Sequence, residues 1–101
     1  MAITFQETRI NFPPTKGRQQ RGNVTVSFPT TVKTAQAMLK GFNIGYDSAD
    51  HNILREEIDI DTSISYNCVN VGVDFLLRDG SGNIDDSYSG WVEVVVIADV
   101  A

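Results

Sequence analysis

The chain has 101 residues, of which 42% are hydrophobic and 21% are charged, as expected of a globular domain and not of a disordered or membrane protein. This length suffices for one hydrophobic core, so we expect a single domain over residues 1–101. The net charge of -5 opposes contact with phosphate backbones and argues against nucleic acid as a partner.

Targeting signals are sparse. No apolar run approaches the roughly 18 residues of a membrane span, and the start of the chain lacks a basic patch followed by an apolar segment, so no secretory signal is visible. We expect synthesis in the cytoplasm, with release, or a place in an extracellular or virus-like particle, as alternatives. The single cysteine, Cys68, cannot form an internal disulfide and disfavours a structural zinc site.

The first part of the chain predicts two strands separated by a basic loop. Strand 3–12 is expected to end where Pro13 and Pro14 remove two donors from the ladder. The loop 15–22 is polar. Apolar residues at every second position then predict a second strand over 23–28.

The segment 33–46 admits two interpretations. Its apolar residues change parity at Lys40 and Gly41, so a strand here needs a β-bulge at these residues to keep both sets inward. A helix over 34–40 is the competitor, since Ala, Gln, Met, Leu and Lys favour helices. We expect the strand, because its neighbours need a partner in a sheet.

Alternation continues through 54–66 and predicts a fourth strand. Its inward face consists of apolar residues: Leu54, Ile58, Ile60, Ile64 and Tyr66. Only Glu56 interrupts that face.

The segment 69–98 predicts one long hairpin, with arms 69–77 and 91–98 around a polar turn 78–86. The second arm has one wholly apolar face. Its other face is more apolar than a solvated surface requires, because it contains Trp91, Val95 and Ile97. We therefore predict that these three residues belong to an oligomer interface. In total, the sequence predicts an all-β fold, a six-stranded antiparallel β-sandwich.

Charge is divided unevenly along the chain. Residues 1–46 contain six basic residues and one acidic residue, a net +5, whereas residues 47–101 contain two basic and twelve acidic residues, a net -10. The two halves can neutralise each other within one protomer. Alternatively, basic loops of one copy face acidic rims of the next and set the orientation of an oligomer.

Residues with catalytic chemistry are few. His51 is the only histidine and is expected to be a solvated turn residue. Cys68 has no histidine nearby in sequence, and adjacent carboxylates in a strand point to opposite faces. The loop 79–86 superficially resembles a calcium loop, but it has Ile84 where an EF-hand requires glycine, so only a looser cation site stays open as an alternative. We expect no enzyme, no cofactor and no metal.

Four segments in this order resemble the H-type lectin domain over about residues 23–100. They are NVTVSFP at 23–29, AMLKGFNI at 37–44, HNILR at 51–55 and the long segment 69–98. The resemblance implies a six-stranded antiparallel sandwich that assembles as a trimer, sometimes stacked into a hexamer. It also implies a sugar site at a rim between neighbouring protomers.

The resemblance assigns Arg55 to that rim, and two loop residues, Asp79 and Tyr88, are expected to complete the site. Arg55 stands where the family places an arginine, and an outward arginine can donate a fork of hydrogen bonds to sugar hydroxyls. Its alternative role is a surface ion pair with Glu57 or Asp59. Asp79 and Tyr88 supply the rest of the rim, Tyr88 by a shift of the loop. The family's disulfide and its loop aromatic and histidine have no counterpart, so galactosamine-type specificity is not implied.

Two functions follow from these expectations. The first is a carbohydrate-binding, lectin-like oligomer that recognises clustered surface glycans at protomer boundaries, as in cell recognition. The alternative is a structural or assembly module, such as a fibre, tail or decoration component of a virus-like particle.

Overall fold

A computed structural model describes residues 2–16, 19–47, 53–79 and 87–101 of the chain. It has six strands: β1 (Ala2–Thr15), β2 (Gln20–Ser27), β3 (Val32–Tyr46), β4 (Ile53–Ser65), β5 (Cys68–Asp79) and β6 (Tyr88–Val100). They form two antiparallel sheets, with strand order β1-β6-β3 in sheet A and β2-β5-β4 in sheet B. The predicted all-β, six-stranded antiparallel sandwich is confirmed. In the described ranges no helix is long and apolar enough to cross a membrane.

The central strand of each sheet supplies most of the core. The inward residues of β5 and β6 are the least accessible in the molecule: Val69, Val71, Val73, Phe75, Leu77, Tyr88, Val92, Val94, Val96 and Ala98. Because β5 and β6 belong to different sheets, the predicted hairpin over 69–98 is wrong. Two strands with apolar inner faces can pair edge to edge or pack face to face, and alternation alone does not distinguish these arrangements.

An aromatic stack fills one end of the core. The ring of Phe75 lies 4.3 Å from that of Phe12 and 5.9 Å from that of Tyr88, measured between centroids. Gln20, itself buried, donates a hydrogen bond from Nε2 to the Tyr88 carbonyl oxygen at 3.2 Å. The stack therefore joins β1 and β6 of sheet A to β2 and β5 of sheet B.

Strand β1 continues beyond its predicted end. It runs through Pro13 and Pro14 to Thr15, so the expectation that it stops at Phe12 is wrong. β1 is an edge strand, and an edge tolerates proline because the missing N–H can lie on the unpaired side. The two prolines disturb the pairing of β1 with β6, because the register of that ladder shifts between Phe12 and Thr15.

Strand β3 forms as predicted, and the competing helix over 34–40 is wrong. The predicted bulge is present, because the register with β6 shifts between Leu39 and Gly41 and leaves Lys40 as the additional residue. A strand partner for β6 outweighs the helix propensity of 34–40, since it satisfies the backbone of both strands.

Strand β4 differs from its prediction at one end. Tyr66 is not inward but 84% exposed, in a turn where its φ is +55°. The turn is fixed by its backbone, as the Tyr66 carbonyl accepts a hydrogen bond from Val32 and the Asn67 carbonyl one from Phe28, both at 2.8 Å. Of the other predicted inward residues, Ile58 and Ile60 pack against the core, whereas Ile64 is 43% exposed. The Leu54 side chain lies outside the described residues.

A charged clasp crosses the outer face of sheet B. Arg21 of β2 reaches over β5 to Asp61 of β4, with Nη2 3.1 Å from both carboxylate oxygens, and its Nη1 lies 2.9 Å from Asp74. Gly72 of β5 lies beneath the guanidinium, and a Cβ there would collide with the Arg21 side chain and lie 2.6 Å from Asp61 Oδ1. The glycine therefore leaves the space that the clasp occupies.

Two glycines are expected to respond differently to alanine. In Gly90→Ala the new Cβ would collide with the backbone carbonyl of Asn43, which cannot move without breaking the ladder between β3 and β6. We expect the free energy of unfolding to fall by about 3 kcal/mol or more. In Gly72→Ala the methyl group meets only side-chain ends that can swing away.

The matched Gly72→Ala variant should be nearly neutral. The variant loses the two exposed ion pairs of Arg21. An exposed pair contributes about 0.2–1 kcal/mol, and replacing glycine in a strand returns about 0.5–1 kcal/mol. Urea unfolding of both variants measures the difference. Equal destabilisation would contradict this account of the two sites.

Candidate oligomer interface and sugar site

The outer face of sheet A carries a contiguous group of large apolar side chains, which we call the apolar patch: Ile3, Phe5, Met38, Val95 and Ile97. Phe5 lies beside Ile97, and Met38 lies beside Val95, in the register of the two ladders. Ile3, Phe5 and Met38 are 68%, 67% and 54% exposed, whereas Val95 and Ile97 are half-buried on the central strand. The patch thus spans all three strands of the sheet.

Of the predicted interface residues, Val95 and Ile97 lie at the centre of this patch, and Trp91 does not. The exposed Phe5 and Ile3 were missed, although the sequence contains their signal. Ile3 and Phe5 have the opposite parity from Ile10 and Phe12, and the ladder between them is uninterrupted. Apolar residues of both parities in one regular strand indicate two apolar faces.

Beside the patch, five residues of the same face form what we call the charged network: Glu7, Arg9, Lys40, Trp91 and Glu93. Arg9 is hydrogen-bonded to Glu93, and its guanidinium carbon lies 4.0 Å from the centroid of the Trp91 ring. Lys40, the bulge residue of β3, places Nζ 2.8 Å from Glu7 and 3.8 Å from Glu93. The hydrogen bond from Arg9 lowers the pKa of Glu93, and the hydrogen bond to Glu7 raises the pKa of Lys40.

These contacts bear on the uneven charge along the chain. Arg9, Arg21 and Lys40, from the basic half, each pair with acidic residues of the second half inside the same protomer. Neutralisation within one protomer therefore accounts for these three cations. Arg18 lies outside the described residues, and Lys16 is exposed.

Arg55 lies on the outer face of β4, an edge strand, and is 65% exposed on its side chain. Its Nη1 is 3.4 Å from Glu57 Oε1, a long contact between exposed groups, and such pairs contribute little to stability. Arg55 therefore does form the ion pair with Glu57 that was its alternative role, but the pair is weak. Most of the Arg55 side chain is accessible to solvent.

The other two predicted rim residues do not join Arg55. The Asp79 side chain lies outside the described residues, although its backbone pairs with Ile53 at the end of the β4–β5 ladder. Tyr88 is fully buried, and its hydroxyl donates to the Phe75 carbonyl oxygen at 3.2 Å. Burial raises the pKa of the Tyr88 phenol.

The assignment of Tyr88 to the rim is therefore wrong. Tyr88 has the parity of Val92, Val94 and Val96, and this places its ring in the core. This alternation is visible in the sequence. It is stronger evidence than the alignment of Tyr88 with the tyrosine of H-type lectins, which required the loop to be shifted.

A cleft of about 410 Å³ that was not predicted lies where β1 and β2 meet. Its lining is rich in amide side chains: Asn11, Phe12, Pro13, Thr15, Gln19, Gln20, Arg21 and Gly22. It occupies the same end of the molecule as Arg55, since Gln20 pairs with Phe75 and Arg55 with Arg78 of one strand. The two lie on opposite flanks, because β2 and β4 are the two edges of sheet B.

No group of three or more His, Cys, Asp or Glu side chains suited to a metal ion occurs within residues 2–16, 19–47, 53–79 and 87–101. The predicted turn residue His51 and most of the loop 79–86, where a loose cation site was an alternative, lie outside those ranges.

No protein-family model, no curated protein and no solved structure matches this chain. The observed six-stranded antiparallel sandwich is the fold that the resemblance to H-type lectins implies. Function must therefore be inferred from the surfaces described above.

The charged network should make stability depend on pH. A carboxylate whose pKa is lowered in the folded state contributes stability that is present above its ordinary pKa, here 4.5, and is lost as the pH falls through the folded value. Glu93→Gln should therefore be less stable than the wild type at pH 7, and the difference should shrink below pH 4.5.

A double-mutant cycle isolates the contact. Arg9→Met, Glu93→Gln and the double variant are unfolded by urea at pH 7 and at acidic pH, at protein concentrations where each is monomeric. We expect a favourable coupling at pH 7 that disappears in acid. A coupling of the same size at both values would show that Arg9 and Glu93 interact through packing and not through charge.

Proposed function

We propose that this protein is an oligomeric, glycan-binding module whose copies associate through the outer face of sheet A. The apolar patch carries the proposal, because Ile3, Phe5 and Met38 are largely exposed on a face that is otherwise ordered by hydrogen bonds. A sheet face of this kind is stabilised when a second surface removes it from water.

The charged network is compatible with burial against copies. Glu7 and Glu93 balance Arg9 and Lys40, so the network brings no net charge to the face, and each charge already has a partner in its own protomer. Pre-paired charges limit the desolvation cost of bringing two such faces together. The resemblance to H-type lectins favours a trimer.

Glycan binding is proposed at the boundary between copies, with Arg55 as the residue that donates hydrogen bonds. Tyr88 is excluded by its burial, so other polar groups must complete the site. In a ring, the flank of β1 and β2 in one copy faces the flank of β3 and β4 in the next. The amide-lined cleft at the first flank and Arg55 at the second lie at the same end, and together they can supply donors and acceptors to sugar hydroxyls.

A structural or assembly module is the second candidate. Its supporting observation is the elongated shape, 50 × 18 × 17 Å, with the patch and the exposed Tyr66 both near one end. A rod with an associating face can serve as a rigid component of a fibre or particle. The two candidates share the apolar patch and differ in whether Arg55 has a ligand.

The association proposal is tested by Phe5→Glu. The glutamate would place a charge in the middle of the patch, next to Ile97, and should convert the wild-type oligomer to a smaller species at micromolar concentration. Sedimentation velocity measures the mass. The matched control is Tyr66→Glu, which replaces a similarly exposed aromatic in the turn and should leave the mass unchanged. A wild type of 11.1 kDa would overturn the association.

The glycan proposal is tested by Arg55→Ala on an array of multivalent glycans. We expect binding by the wild type and none by the variant, while the unfolding free energy changes by about 0.5 kcal/mol or less, as for other outward residues. Lys33→Ala is the matched control. Lys33 is an exposed cation at the start of β3, at the end of the sandwich that is far from Arg55. If the Arg55→Ala variant does not fold, or if its oligomer has a smaller mass than that of the wild type, Arg55 has a structural role.

A wild-type oligomer without any bound glycan would remove the lectin function and leave the assembly module. The glycans on the array must be presented multivalently, because a single weak site would not give detectable binding. Several weak sites on one rigid oligomer raise the apparent affinity by a factor of about 10² or more over a single site.

A further inference from the structure

The free edge of β2 is the least protected edge of the sandwich. Each of the two sheets ends in two edge strands, and three of the four carry features that discourage pairing with another strand. β1 contains Pro13 and Pro14, β3 has register shifts near Val32 and at Lys40, and β4 carries four acidic residues over 56–61. β2 pairs with β5 without any shift from Gln20 to Ser27 and contains no proline.

The single charge on β2 is held away from its free edge. Arg21 lies at the start of the strand, and its guanidinium extends across the outer face of sheet B to Asp61 and Asp74. The remaining residues, 22–27, are small, polar or β-branched. Val24, Thr25 and Val26 are β-branched and favour an extended strand, and none of residues 22–27 carries a charge that would repel a neighbour.

The direction of the backbone groups follows from one hydrogen bond. The Phe28 N–H donates to the Asn67 carbonyl on the β5 side. Because backbone groups of successive residues point to opposite edges of a strand, those of Arg21, Asn23, Thr25 and Ser27 face away from β5. Gln6 of β1 donates to the Ser27 carbonyl and caps one end of this edge.

Three residues are left with free backbone groups on that edge. In the part of the chain that the structure describes, the backbone N–H and C=O groups of Arg21, Asn23 and Thr25 on this side make no hydrogen bond. Unpaired groups in a regular row are a template for another strand.

We propose that β2 pairs with β2 of a second copy, antiparallel about a two-fold axis at Val24, to give one continuous six-stranded sheet. In this register Asn23 lies opposite Thr25 of the second copy, and Arg21 lies opposite Ser27 of the second copy. Asn23 and Thr25 therefore meet counterparts with free backbone groups, Arg21 meets Ser27, whose carbonyl already accepts from Gln6, and no like charges are opposed. A two-fold axis makes the edge self-complementary, which is why a second copy fits it.

This contact is separate from the apolar patch. β2 belongs to sheet B and the patch to sheet A, so the two surfaces share no residue, and either proposal can fail alone. In the proposed ring the flank that contains β2 already faces a neighbouring copy, so edge pairing is an alternative to that contact and gives a dimer where Phe5→Glu disables the patch.

Amide hydrogen exchange of the Phe5→Glu protein over a range of concentrations tests the pairing directly. The N–H groups of Asn23 and Thr25 should become protected as the concentration rises, whereas those of Val24 and Val26, which face β5, should be protected throughout. Asn23 and Thr25 amides that exchange at the unprotected rate at every concentration would overturn the proposal.

Variants in the same background provide the second measurement. Thr25→Pro removes an N–H that the β5 ladder does not use and should raise the dissociation constant of the dimer about tenfold or more, since two symmetry-related hydrogen bonds are lost. Thr25→Ala is the matched control: it removes the hydroxyl bonded to Asn70, keeps the N–H and should leave the mass unchanged. A folded Thr25→Pro protein with wild-type dimerisation would overturn the proposal; if that variant does not fold, the exchange result decides.

Discussion

The contact between the inner faces of β5 and β6 is the constraint on which the rest of the structure depends. Each strand is central in its sheet and presents an uninterrupted row of apolar side chains to the other. Edge strands then have only to cover the sides of this core, so they can carry prolines, bulges and charges that a central strand would not tolerate. The proposed association surfaces and the proposed sugar site lie on those edges and on the outer faces.

The outer faces are organised by cations that span the central strands. Arg21 reaches from β2 across β5 to β4, and Lys40 reaches from β3 across β6 to β1. Each needs room to do so: Arg21 passes over Gly72, and Lys40 projects from the bulge. The separation of basic and acidic residues along the sequence thus becomes, in part, cross-strand pairing within each sheet. Individually such exposed pairs are weak, but they set which parts of each face stay polar.

Much of the fold could be predicted from the sequence, and less of the candidate site. Period-2 alternation identified five of the six strands, and β3 was preferred to a helix because its neighbours needed a partner in a sheet. The change of parity at Lys40 identified the bulge in β3. Alternation says which residues face inward but not which strand lies beside which, so the face-to-face placement of β5 and β6 was missed. The prediction that Tyr88 belongs to the sugar site was wrong because it relied on the resemblance to a family. The position of Tyr88 in the alternation of β6 already placed its side chain in the core.

The position of the apolar patch constrains how copies can be arranged. The patch lies toward the end of sheet A where Ile3 and Asp99 pair, and the charged network lies toward the end where Asn11 and Trp91 pair. Two faces packed antiparallel along their whole length would set the patch of one against the charges of the other, at the cost of desolvating them. Parallel rods around a common axis instead bring patch to patch and network to network. For the association that we propose, an off-centre patch on an elongated face therefore favours a cyclic, parallel arrangement, in which the same end of every copy would present Arg55 and the amide-lined cleft on one side of the assembly.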